Sequence, residues 1–260
     1  IRRRLGATIA DDHRLGMHCS RAGTCCDAGA ECGRQFVLGE HVSDALERAQ
    51  VQTAEDAQRN LLTQHSFDML GEGARSWEDA DRYLAAYQEA LRHMAALTPN
   101  TRSGQPTWGQ RPGLSVKLSA LHPRFEPAHA ESVMLELVPR LTGLIKQAHR
   151  AGLMLTIDAE ESFRLELQLA VLEAVLTESA DGLGLAIQAY QHRALDMIAA
   201  VIALAQQHER TIGVRLVKGA YWDSEIKRAQ ERGLADYPVF TRKAMTDLNY
   251  AACATKLLAS

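Results

Sequence analysis

Four short apolar runs recur after Gly113, at Leu114 to Leu118, Leu153 to Ile157, Leu183 to Ile187 and Ile212 to Val217. Their starts lie 39, 30 and 29 residues apart, the rhythm of βα units feeding a parallel sheet. The stretch after the first run aligns Met134, Leu137, Leu141, Leu144 and Ala148, and the stretch after the third aligns Leu195, Ile198, Val201, Ile202 and Ala205. Such stripes predict helices laid against the strands.

Alternate side chains of a strand point to opposite faces. Leu114, Val116 and Leu118 therefore share one face, and Ser115, Lys117 and Ser119 the other. By the same parity Leu153, Leu155 and Ile157 oppose Asp158, Leu185 and Ile187 oppose Gln188, and Ile212, Val214 and Leu216 oppose Arg215. With the aliphatic face against the helices, Lys117, Asp158, Gln188 and Arg215 are directed toward one centre. An open doubly wound sheet would read apolar on both parities. Polar residues at successive strand ends favour a (βα) barrel, whose active site is built on that rim. About four βα units are legible where a complete barrel has eight.

Three segments precede or compose this pattern. Residues 1–33 carry Cys19, Cys25, Cys26 and Cys32 in a spacing without the C-x2-C knuckle of a zinc site; this atypical, Cys-rich stretch is expected to be disordered and to hold no metal. Residues 34–112 read as a helical arm, including a helix from Trp77 to Leu97, closed by a Pro/Gly/Ser-rich linker. Residues 113–260 carry the barrel pattern. With 46% hydrophobic and 23% charged residues the chain can bury a sizeable core. Its net charge of −3 argues against a bulk nucleic-acid binder. The longest clean apolar run, Met197 to Ala205, has 9 residues, whereas a spanning helix needs about 20.

The segment Val214 to Asp223 places Arg215, Lys218, Gly219, Tyr221 and Trp222 around a strand end. Arginine offers a fixed fork to an anion or a ring carbonyl, and Gly219 would let backbone N–H groups approach a ligand. The alternative is structural, with Arg215 paired to Asp158 and the aromatic rings capping the barrel. Glu160 and Glu161 follow Asp158 and are expected to be solvated acids at a helix start. The ten histidines lie in polar, helix-rich stretches that suggest the surface. No G-x-G-x-x-G after a strand, G-x4-G-K-[ST], G-x-S-x-G or H-E-x-x-H occurs, so any nucleotide cofactor is held by a non-Rossmann site.

Longer strings carry a resemblance. SVKLSALHPR at 115–124, IDAEE at 157–161, IQAY at 187–190, RLVKGAYWDSEIK at 215–227, YPVFTRK at 237–243 and, upstream, DMLGE at 68–72 resemble, in family order, the proline dehydrogenase domain of the bifunctional bacterial flavoenzyme proline utilization A. The resemblance runs from Arg34 to the end of the sequence. It implies a distorted (βα)8 barrel of the TIM type, preceded by an α-helical arm. That domain binds FAD and oxidises L-proline to Δ1-pyrroline-5-carboxylate, passing electrons to a quinone as the first step of proline catabolism.

Carried over by position, Arg215 would lie beside the isoalloxazine, with Asp158 and Gln188 touching the flavin or positioning its neighbours. Lys218, Gly219, Ala220 and Trp222 would hold the cofactor, and Thr241 with Lys243 would approach its adenosine end. Lys117 would meet the proline carboxylate, Tyr221 would pack on the pyrrolidine ring, and Glu72 would be half of a gating ion pair. The resemblance also implies a cytoplasmic parent, peripheral at the inner face of the membrane. That parent would supply the C-terminal half of the barrel and an aldehyde dehydrogenase domain, while this segment binds no nucleic acid and is inactive alone. Ala7 to Gly33 departs from the family arm. Two rival readings are a non-catalytic scaffold or regulatory fragment, and a barrel enzyme holding a phosphorylated substrate at Arg215 and Lys218.

Overall fold

A computed structural model describes residues 42–61, 63–69, 73–97, 111–178 and 182–260, together with the backbone of Ala7–Ile9. The described residues divide into two units at the junction of His65 and Ser66, with Ala7–Ile9 in the second. In the first unit, helix α1 (Val42–Gln58) ends near Asp56. The Asp56 carboxylate accepts hydrogen bonds from Thr63 Oγ1 at 2.6 Å and Gln52 Nε2 at 3.0 Å. These donors, Thr63 foremost, hold its pKa below the ordinary carboxylate value.

The second unit is built on a wholly parallel sheet. Its strands are β1 (Ala7–Ile9), β2 (Ser66–Phe67), β3 (Gly113–Val116), β4 (Met154–Ile157), β5 (Leu183–Gln188) and β6 (Gly213–Val217), in the spatial order β1-β6-β5-β4-β3-β2. From β2 to β6 sequence neighbours are also spatial neighbours, as in a barrel wound one unit at a time. The connections carry α2 (Trp77–Leu97), a single turn α3 (Leu118–Leu121), α4 (Ala130–Arg150), α5 (Leu165–Glu178) and α6 (Ala194–Gln207). Beyond β6 lie α7 (Trp222–Glu231) and α8 (Lys243–Leu258). The fold is thus a partial, distorted (βα) barrel.

Two strands escape the sequence pattern, because β1 and β2 have three and two residues, too few to display a period. Ala7–Ile9 lies in the segment expected to be without structure, yet pairs with β6 in the register Thr8 opposite Arg215. The rest of residues 1–33, with its four cysteines, lies outside the described residues. Trp77–Leu97, predicted as part of the arm, belongs with the barrel unit. Its Tyr87, Leu91 and Met94 are fully buried, and the Tyr87 hydroxyl accepts a hydrogen bond from Lys117 N at 3.2 Å.

The aliphatic parity of the strands is buried throughout, and in β3 and β5 the other parity is buried as well. Leu114, Val116, Leu155, Ile157, Leu185, Val214 and Leu216 are all buried against the helices. The other parity carries small residues below the rim. At Gly184 an added Cβ would meet Thr156 Oγ1 at 3.0 Å and Gly213 O at 3.2 Å, so the inner face is closely filled there. The helix stripes need one adjustment. In α6 the buried positions are Ala194, Met197, Ile198, Val201, Leu204 and Ala205, while Leu195 and Ile202 are only half-buried. A helix apolar on most sides leaves its period unable to fix which side faces the sheet.

Among the described residues no helix is long and apolar enough to cross a membrane. Leu155, fully buried at the centre of β4, tests the core: Leu155→Ala is expected to cost about 2–5 kcal/mol, read as a lower midpoint in urea unfolding at unchanged slope.

Candidate active site

Strand parity brings three charges together at the C-terminal rim. Asp158, just past β4, receives Lys117 Nζ at 3.1 Å on one carboxylate oxygen and Arg215 Nη1 at 3.4 Å on the other. Lys117 follows β3, and its backbone is fixed by Tyr87 from outside the sheet. Asp158 is fixed through its own backbone. Its N–H donates to Val116 O at 2.9 Å and its carbonyl accepts Gln168 Nε2 at 3.0 Å. Arg215 also donates to Ser115 Oγ at 2.7 Å and to the Ser66 hydroxyl. The structural pairing of Arg215 with Asp158 is therefore real, but it is one part of a larger cluster.

Burial makes this cluster electrostatically tense. Desolvation is the largest influence on Asp158, and together with the nearby Asp68 carboxylate it pushes the pKa above the ordinary value. Lys117 and Arg215 pull in the opposite direction without fully offsetting it. Asp68 lies 3.4 Å from Lys117, so two carboxylates share the lysine. Ser66, Ser115 and Asp68 are site residues that the sequence did not single out. Ser115 was accessible from parity, being on the Lys117 face; Ser66 and Asp68 sit in and beside a two-residue strand with no period to read.

Gln188 joins a second, buried tier. Its Nε2 donates to Glu160 O at 2.9 Å and its Oε1 accepts Ala220 N at 2.9 Å. Glu160 is not solvated as its position at a helix start suggested: it is 5% exposed, accepts Ser119 N at 2.9 Å and is paired with Arg164. A buried carboxylate needs such partners, and tertiary structure alone supplies them. Similarly His122 is buried rather than superficial, with Nε2 3.0 Å from Glu136 and Trp77 edge-on to its ring at 4.9 Å.

The loop after β6 packs closely on Tyr190. Gly219 has φ of +142°, and a Cβ there would run into the Tyr190 ring. Glycine is thus required by packing as well as by the backbone. The adjacent N–H groups are already engaged: Ala220 N donates to Gln188, and Tyr221 N donates to Tyr190 Oη at 3.3 Å. Burial raises the Tyr190 pKa and pushes that of Tyr221 up to about 12, so both are neutral phenols near pH 7. Tyr221 feels Lys117, Glu160, Glu161 and Asp158, which puts it beside the charge cluster.

The outer residues form a third group. Trp222 Nε1 donates to Phe240 O at 3.0 Å while the ring stays 43% exposed. Lys218 and Lys243 meet at Asp247, at 2.8 and 2.6 Å, and these lysines lower its pKa. Thr241 and Ala220 are exposed. Arg215 and Lys218 are paired to different carboxylates, Asp158 and Asp247. Glu72, the gating candidate, lies outside the described residues. Among the described residues no three His, Cys, Asp or Glu side chains gather as a metal site requires.

The sequence profile of one family, proline dehydrogenase, matches residues 50–260. The chain belongs to the proline dehydrogenase family. Among curated relatives, the bifunctional protein PutA of Escherichia coli (strain K12) is 47% identical over 231 residues and that of Klebsiella aerogenes 46%. In both comparisons the match covers 87% of this chain and 17% of the relative. Proline dehydrogenase structures agree in shape. A mutant of proline utilization A from Bradyrhizobium japonicum superimposes with a TM-score of 0.75 at 54% identity, over 89% of this chain and 24% of that one. Proline utilization A from Bdellovibrio bacteriovorus, inactivated by N-propargylglycine, has the same TM-score at 28% identity, over 87% and 24% of the two chains.

The raised pKa of Asp158 has a testable sign. Because burial favours the neutral acid, protonation begins while the pH is still above the ordinary carboxylate range, releasing Lys117 and Arg215 as the pH falls. In a longer protein of this family that carries this chain, the acidic limb of the kcat/KM profile is expected at a higher pH than an ordinary aspartate would give, and Asp158→Asn, which cannot titrate, is expected to lose it.

Proposed function

We propose that the chain carries the Lys117, Asp158 and Arg215 rim of an FAD-dependent proline dehydrogenase barrel, oxidising L-proline to Δ1-pyrroline-5-carboxylate with electrons passed on to a quinone. The observation that carries this reading is the convergence of two cations on one largely buried carboxylate, 13% exposed, in a chain of this family. The oxidation removes a hydride from C5 and a proton from nitrogen, leaving a C5–N double bond. When bound, FAD supplies the two-electron acceptor for that hydride.

The residues suit both molecules. A carboxylate-bearing secondary amine needs a cation for its anionic end, and Lys117, 19% exposed and already holding carboxylates, provides one. N-Propargylglycine, named with the Bdellovibrio relative, is also a secondary amine bearing a carboxylate. The neutral Tyr221 ring gives proline an apolar face beside the charges. Arg215, held by Ser66, Ser115 and Asp158, is a preorganised cation that lowers the energy of negative charge arriving at its rim. Gln188 holds Ala220 and so the course of the loop. Outside it, Trp222 offers a planar face, and Lys218 with Lys243 exceed Asp247 by one positive charge, the sign that a diphosphate-bearing cofactor demands. Thr241 lies two residues before Lys243 in sequence.

This chain spans 17% of the length of the curated relatives, and the catalytic unit proposed is the longer parent. That parent is a cytoplasmic protein, peripheral at the inner membrane face where quinone is reached, with further barrel strands and an aldehyde dehydrogenase domain. The 260 residues alone are expected to give no proline turnover; turnover by a monomer of this chain would contradict the assignment of a partial site.

Two substitutions in the parent separate the roles. Arg215→Met is expected to slow bleaching of the visible flavin absorption by proline by roughly 10²–10³-fold, the scale of losing one preorganised charge stabiliser. Lys117→Ala is expected to raise the KM for proline roughly 10- to 100-fold, the equivalent of a hydrogen bond to a charged group, at nearly unchanged FAD affinity. Loss of flavin with no change in proline binding would refute the Lys117 role.

A further inference from the structure

One buried carboxylate near the rim has no part in the chemistry above. Glu225, in the first turn of α7, is 1% exposed. Both of its oxygens are taken by a single residue on another loop: Ser162 N donates at 2.5 Å and Ser162 Oγ at 2.6 Å. Ser162 opens the 3-10 turn Ser162–Arg164 that follows β4. One helical turn farther along α7, Arg228 stacks on the Phe163 ring at 3.5 Å from its centroid. Two successive turns of α7 are thus bound to two successive residues of the β4 loop.

This clasp spans an intervening strand, since β5 lies between β4 and β6. Gln188, at the end of β5, occupies the middle and ties Glu160 to Ala220. The four residues between β6 and α7, Lys218 to Tyr221, and Trp222 at the start of the helix are therefore anchored behind by Glu225 and beneath by Gln188 and Tyr190. A carboxylate deprived of water is an expensive anchor unless its geometry is used. An apolar side chain would pack α7 as well, but could not hold the Ser162 N–H and O–H together.

We propose that Glu225 is a positioning residue that, through Ser162, fixes the height of the Lys218–Trp222 loop against Asp158, and so sets the affinity and environment of the flavin. This rests on the reading of the rim as a flavin site. Glutamine at 225 keeps one oxygen for Ser162 N but is neutral, and its N–H2 can meet the Ser162 hydroxyl only if that hydroxyl turns to accept, so both charge-assisted hydrogen bonds are lost.

The test uses the full-length parent protein: wild type, Glu225→Gln, Ser162→Ala and the double variant. FAD binding to the apoprotein, the visible circular dichroism of the bound flavin and thermal stability are measured for each. Glu225→Gln is expected to weaken FAD binding roughly ten-fold, as for the loss of hydrogen bonds to a charged group, and to alter the flavin dichroism. Ser162→Ala is expected to weaken it less. The double variant is expected to be little worse than Glu225→Gln alone, because both changes act on the same contact.

Wild-type affinity and dichroism in Glu225→Gln would overturn the proposal, as would a fall in stability alone. If Glu225→Gln does not fold, Ser162→Ala decides by the same two readouts, and unchanged values overturn the proposal. Failure of the underlying reading is distinguishable, since the wild-type parent would then bind no FAD.

Discussion

The rim of this protein depends on a carboxylate that has lost most of its water. Asp158 is held between Lys117 and Arg215 while Asp68 adds a like charge nearby. Desolvation and the second carboxylate favour its neutral form; the two cations favour the charged form. Such an arrangement is stable only if each member is fixed in place, because an unpaired buried charge costs more than the pair returns. The supporting bonds supply that fixity: Tyr87 to the Lys117 backbone, Gln168 and Val116 to the Asp158 backbone, Ser115 and Ser66 to the guanidinium.

Preorganisation is what makes the cluster chemically useful. A cation that need not move when charge arrives stabilises it without a reorganisation cost. The surrounding loops are built to the same end. Gly219 presses against Tyr190, Gln188 bridges Glu160 and Ala220, and Glu225 closes the circuit to Ser162. None of the N–H groups of Ala220 or Tyr221 is left to cradle an anion. The loop at these two positions is thus tied to the side chains of Gln188 and Tyr190.

Much of the architecture was legible in the chain, and the failures have identifiable causes. Four of the strands showed their period because each has at least four residues. Parity then put Lys117, Asp158 and Arg215 on one face, since a two-residue repeat allows no other arrangement. β2 carries Ser66 and precedes Asp68, but two residues display no period. In α6 the apolar residues encircle the helix, so its buried face emerged only on packing. Glu160 and Glu225 both sit where acids commonly cap helices in water, and nothing local distinguishes them from solvated neighbours.

By itself the amino-acid order determined the βα rhythm, the inward direction of the polar strand ends and, through its longer strings, kinship with proline dehydrogenases. Those are local or statistical properties of the chain. Tertiary structure alone decided which charges pair, which acids are buried, and that Tyr190 and Gln188 consume the donors of the β6 loop. Most of these contacts join residues far apart in sequence, 63 positions for Glu225 and Ser162, 100 for Arg215 and Ser115 and 149 for Arg215 and Ser66. Their energies depend on water excluded by helices that no local pattern describes.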